Sequence, residues 1–226
     1  MKETLAFLNA LQQNNNREWF EMHKPTYKAL NEQFNHFITQ LLNGIASFDK
    51  RLKNVTAKEC MFRIYRDIRF SHNKLPYKSH FAAYMCPGGK KSGYAGYYFH
   101  IEAEHEDYIG DNILAAGCYC PEPAALKSIR EDIEFNGTAY RQALRTASSF
   151  TIEGNSTLSK VPSGFNKESE FADLLKLKDF SLMRKIPDKE LFAHSDQLLE
   201  FTLENFKKAK QFNDLLNRAI DFITQK

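Results

Sequence analysis

The stretch His80-Phe81-Ala82-Ala83-Tyr84-Met85-Cys86-Pro87-Gly88-Gly89-Lys90-Lys91-Ser92-Gly93-Tyr94-Ala95-Gly96-Tyr97-Tyr98-Phe99-His100-Ile101-Glu102-Ala103 decides the fold. Two apolar, aromatic-rich runs flank a turn of Pro, Gly, Lys and Ser. His80 to Cys86 and Tyr94 to Ala103 therefore read as strands joined by a hairpin connection. Upstream, Cys60, Phe62, Ile64, Ile68 and Phe70 fall on alternate positions, the period of a strand. Downstream, Tyr108 to Tyr119 supplies another. Parallel strands need crossovers of a dozen or more residues, so sequential strands with short polar loops imply an antiparallel sheet.

Outward from the sheet the period becomes helical. Leu5, Leu8 and Leu11 recur at helical spacing and stop at Asn14-Asn15-Asn16, a cluster suited to a loop and N-cap. Arg17 to Phe20 opens a second helix, which Pro25 is expected to interrupt or restart. Tyr27, Leu30, Phe34, Phe37, Leu41 and Ile45 continue the stripe, and the helix should end between Gly44 and Ser47. Beyond the sheet, Pro121-Glu122-Pro123 starts a helix with a face of Leu126, Ile129 and Ile133. Asn136-Gly137 ends it, and another runs to about Ala147. Ser148 to Gly164 reads as loop with short strands, Glu168 to Leu177 as helix and Phe180 to Arg184 as an edge strand. Asp188 and Ser195 are expected to cap closing helices, the last carrying Leu198, Phe201, Phe206, Phe212, Leu216 and Phe222. The reading is one α+β domain over 1–226: helices in 1–50, an antiparallel sheet of four or more strands in 58–120, and helices with short strands in 121–226.

The composition is that of a globular protein: 226 residues, 42% hydrophobic and 26% charged. That excludes disorder of the whole chain. The longest apolar run, Phe81 to Cys86, is far shorter than the ~20 residues of a spanning helix, and Met1-Lys2-Glu3-Thr4 leads into a polar amphipathic stretch without the apolar core of a signal peptide. No membrane association and a cytoplasmic setting are expected. There Cys60, Cys86, Cys118 and Cys120 stay reduced, and their spacing matches no zinc or redox motif. Cys118 and Cys120 are expected on one buried strand face.

Charge is uneven. The whole chain carries +3, whereas Lys58 to Lys91 holds eight basic and two acidic residues, a net +6. Within it, Phe62 to His80 departs furthest from ordinary composition. Arg63, Tyr65, Asp67 and Arg69 share one strand face and Arg66 falls on the other. Lys74, Tyr77, Lys78 and His80 return beside them if Ser71 to Asn73 turns the chain and Pro76 keeps Leu75 extended. Arginine forks, lysine and tyrosine hydroxyls together suit a phosphate or carboxylate, so these nine residues form the candidate site for a small anionic molecule. Two other readings compete: an interaction or scaffold protein whose arginines are structural ion pairs, and a nucleic-acid binder. The near-neutral whole and the lack of a nucleic-acid motif weigh against the last. Whether the chain is an enzyme, and its oligomeric state, are left open by the sequence.

Phe62-Arg63-x-Tyr65-Arg66-Asp67-x-Arg69-Phe70-Ser71, followed by Lys74-x-Pro76-Tyr77-Lys78, resembles the signature of a domain-of-unknown-function family, number 2461. Phe7-Leu8-x-x-Leu11 with Asn14 to Phe20 is similar to its N-terminal motif. Ala116-Gly117-x-Tyr119-x-Pro121-Glu122-Pro123 and Val161-Pro162-x-Gly164-Phe165 are similar to its later landmarks. The resemblance implies one α+β domain of about this length and no particular activity. Where the family pattern has an aspartate this chain has Asn73, which puts in question any role needing a carboxylate there. His100, Glu102 and Glu104 on one strand face, with His105, have metal-ligand chemistry, but one strand rarely closes a site. The acids are better read as partners of the arginines. No metal and no cofactor are expected. Gly88 to Gly93 lacks the Gly-Lys-Ser/Thr ending of a phosphate loop and precedes a strand, so it is not taken as one.

Overall fold

Leucines and aromatics at three- and four-residue spacing give the opening helices their buried stripe. In the computed structural model, which describes residues 1–104, 108–152 and 157–224, helix α1 spans Lys2–Gln13 and α2 spans Arg17–Phe48. The Asn16 side chain accepts from the Trp19 N–H at 2.9 Å and so starts α2. Pro25 does not interrupt this helix. It lies within the third turn, where one missing backbone donor is outweighed by a stripe buried from Phe20 to Ile45.

Among the described residues, five strands form one antiparallel sheet: β1 (His80–Met85), β2 (Gly96–Glu102), β3 (Ile113–Cys118), β4 (Thr151–Ile152) and β5 (Phe180–Lys185), in the order β1-β2-β3-β5-β4. The hairpin is as expected, but β5 is not an edge strand. It lies between β3 and β4, which takes the edge. Gly117 lets β5 approach closely: its φ is +115°, and a Cβ there would lie 1.9 Å from the Phe180 carbonyl oxygen.

One face of the sheet packs on helices. Phe81 and Phe99 meet Phe34 and Phe37 of α2, with ring centroids 5.0–6.1 Å apart. Tyr97 meets Phe206 of the closing helix α7 (Ser195–Thr224) at 5.2 Å. Each such fully buried side chain contributes about 1.5–3 kcal/mol. Helix α4 (Pro123–Thr146) packs on α7, with the Ser128 hydroxyl donating to the Ala219 carbonyl. Non-helical angles at Asn136 kink α4 where a helix boundary was expected, and the next residue, Gly137, makes room for the Phe171 ring. The helix expected over Glu168 to Leu177 shortens to α5 (Ala172–Leu175), and α6 is Asp188–Leu191.

The expected strand from Cys60 to Phe70 does not form. Cys60 ends helix α3 (Ala57–Cys60), and of the alternating apolar residues only Cys60 and Ile64 are buried, whereas Phe70 is 93% exposed. The backbone of the segment meets the free edge of β1 at the Met61–Ala83 bridge, where the Phe62 N–H donates to the Ala82 carbonyl. It partly covers an edge whose unpaired backbone groups are a template for unwanted pairing. No helix among the described residues is long and apolar enough to cross a membrane.

Candidate functional site

The basic segment is an irregular hairpin. Tyr65 pairs with Tyr77, the Arg66 N–H donates to the Pro76 carbonyl, and the Lys78 N–H donates to the Ile64 carbonyl. The reversal expected at Ser71 to Asn73 therefore occurs, and Asn73 Oδ1 supports it by accepting from the Leu75 N–H at 2.9 Å. The hairpin is fastened to the helices by Asn15. Its side chain accepts from the Tyr77 N–H (3.1 Å) and donates to the Tyr77 carbonyl (3.0 Å), as a neighbouring strand would. Beside it the Tyr77 ring stacks on Phe20 at 3.9 Å.

This geometry divides the nine candidate residues into three groups. Tyr65 and Tyr77 belong to the aromatic packing around Phe20, and Tyr77 is buried there instead of lining a cleft. Asp67, Arg69 and Lys74 sit at the exposed tip. Arg69 pairs with Asp67 at 2.7 Å, which holds that carboxyl down to about 2, and Lys74 Nζ donates to the Ile68 carbonyl. The third group is Arg63, Arg66, Lys78 and His80, where the hairpin meets β1.

Positive charge accumulates in this third group. Burial first, then Arg63, Arg66 and Lys90, lower the Lys78 ammonium pKa. Among the described residues no carboxylate forms an ion pair with Arg63, Arg66 or Lys78. Phe62 lies under two of the cations, with Lys78 Nζ 5.3 Å and Lys90 Nζ 5.9 Å from its ring centroid. Its ring meets Tyr98 edge-on.

A model of the conserved hypothetical proteins DUF2461 matches residues 3–215. The chain belongs to the DUF2461 family. No curated protein and no solved structure matches it. Two stretches that carry the DUF2461 resemblance in sequence touch in space, because Asn15 and Phe20 of the first hold Tyr77 of the second.

Sequence reasoning named His100 and Glu102 on one strand face but not the cluster that they form with His80 on the sheet face opposite the helices. His80 of β1 lies across from Glu102 of β2, and His100 is two residues earlier on the same face. Tyr98 Oη and His100 Nδ1 are 2.9 Å apart, as are His100 Nε2 and Glu102 Oε2. The Ile109 N–H also donates to Glu102 Oε2. His100 and Glu102 are almost fully buried and His80 is 8% exposed. Burial first, then His100, Lys78 and Arg66, push the His80 pKa down to about 3, which keeps the ring neutral. Tyr108 stacks on His80 at 4.6 Å. The expectation that Glu102 would answer an arginine is corrected, since it bonds His100 instead. The backbone N–H of Glu104 donates to Asn9, and His105 lies outside the described residues. The four cysteines are free thiols, and burial pushes Cys60 and Cys118 up to about 12. Cys120 is exposed past the end of β3, not on a buried strand face beside Cys118.

Proposed function

We propose that this DUF2461 protein binds a small phosphate- or carboxylate-bearing molecule at Arg63, Arg66 and Lys78. The observation that carries the reading is the half-buried Lys78 ammonium among cations, with no carboxylate ion pair among the described residues. Keeping like charges together costs free energy, and a bound anion would offset it through charge-assisted hydrogen bonds. A cytoplasmic setting, where the four thiols stay reduced, is part of the proposal.

The hairpin tip favours a second reading, a protein-interaction surface, because Phe70 and Leu75 are exposed there beside Arg69. A thermal-shift series with inorganic phosphate, pyrophosphate and citrate separates the two. Anion binding raises the melting temperature of the wild type and not of Arg66→Gln. No shift with any of the three anions, in a folded wild type, would refute it. Oligonucleotide binding that weakens steeply with salt would instead favour a nucleic-acid ligand.

A further inference from the structure

We infer that His80, His100 and Glu102 form a binding site for one divalent first-row transition-metal ion such as Zn2+. One ligand-type atom from each of the three buried residues lies within 4.8 Å of the others. Two histidines and a carboxylate are the donor set of open zinc and non-haem iron sites, and they leave further positions for water or an anion. The inference stands on the cluster alone and does not require the anion reading.

Strand register produces the cluster. His80 and Glu102 are direct cross-strand partners, and His100 is the diagonal neighbour on the same face, so a rigid sheet holds all three. Zinc bonds of ~2.1 Å place tetrahedral ligand atoms about 3.4 Å apart. The His100 Nε2 to Glu102 Oε2 distance of 2.9 Å is already near that, and side-chain rotation has only to bring His80 inward.

The cluster could instead be a self-contained buried network, with Glu102 orienting His100. Two atoms argue against that. Among the described residues, His80 Nδ1 and Glu102 Oε1 are both buried and without a hydrogen-bond partner. Orphaned polar atoms of this kind are costly and call for a missing partner. The carboxylate oxygen can only accept, and a cation would satisfy it. On the far side of His100, Tyr98 Oη sits at Nδ1, where it can accept that N–H and leave Nε2 free to ligate. Tyr98 is thus a positioning residue, the outer-shell partner that fixes a metal-bound histidine. Glu102 supplies one negative charge against the two of the ion, so an anionic further ligand would complete the balance beside the Arg66 and Lys78 charges.

The test uses the full chain, stripped with chelator and titrated with Zn2+ by calorimetry, with Co2+ as a spectroscopic probe. One equivalent should bind and raise the melting temperature. His100→Ala should abolish this and His80→Ala should weaken it at least about tenfold. The surface variant His194→Ala should leave it unchanged. Since His100→Ala removes a whole buried ring, Tyr98→Phe is the decisive variant: it keeps the packing and should weaken binding about tenfold, while the metal-free protein still unfolds cooperatively at a melting temperature lowered by the orphaned His100 Nδ1. Absence of stoichiometric binding to folded wild type would overturn the inference. So would affinity that survives both His80→Ala and Tyr98→Phe.

Discussion

Replacing Asn217 by Ala should cost about 3 kcal/mol, because its side chain acts as a strand for a residue that has none. Just before β2, Ala95 donates its N–H to Asn217 Oδ1 at 2.8 Å, and its carbonyl accepts from Asn217 Nδ2 at 3.0 Å. Asn217 and Ala95 are each only 1% exposed, so water cannot take over when the amide is removed. Each stranded backbone group costs about 1–3 kcal/mol, and partial relaxation places the pair in the lower half of the sum. Asn15 makes the same two bonds to Tyr77, but Asn15 itself is partly exposed, so water can enter where its side chain is removed. Asn15→Ala should therefore cost only about 1 kcal/mol. Urea denaturation measures both, as a lower midpoint at unchanged slope. Equal losses for the two variants, or a loss below about 1 kcal/mol for Asn217→Ala, would refute the reasoning that burial of the amide sets the cost.

Three further outcomes follow from the same geometry. Gly117→Ala should destabilise by about 3 kcal/mol or more in the same urea assay, since its Cβ would enter the Phe180 carbonyl and its φ is positive. Lys78→Met should raise stability at neutral pH by about 0.5 kcal/mol by removing one of the clustered cations. Its folded pKa is depressed, so the cost of its charge is present in full below that pKa and is relieved as pH rises towards 10.5; the gain should fade over that range in urea midpoints against pH. Arg69→Ala should leave the urea midpoint unchanged, because its partner Asp67 is exposed, while NMR titration should show the Asp67 carboxyl returning from about 2 towards its ordinary value.

The α+β architecture was legible because the hairpin from His80 to Ala103 combines strand composition with unambiguous turn chemistry, and because the Phe34 and Phe37 stripe can only be helical. Cys60 to Phe70 misled for a definite reason. Alternation reports a strand only when a partner strand is there to receive it, and the segment meets β1 at a single bridge. Pro25 misled because local propensity yields to a stripe buried along the whole of α2. At the site, the turn around Asn73 was readable from residue types, so the return of Lys78 beside Arg66 was too. The His80–His100–Glu102 cluster was not, since His80 joins it only through a register that depends on the length of the Pro87 to Ala95 connection. Asn15 and Asn217 gave no signal either, because an asparagine replacing a strand leaves no periodicity.

The central claim, that Arg63, Arg66 and Lys78 form a cationic site for an anion, is tested most directly at the Lys78 ammonium. With 13C-labelled lysine, its pKa can be followed by NMR in the free protein and with saturating pyrophosphate. The account expects the free value to lie below that of an exposed lysine, as burial and the neighbouring cations require, and to rise when the anion binds. A Lys78 that titrates like a surface lysine, or one whose depressed value is unmoved by pyrophosphate, phosphate and citrate alike, would contradict it.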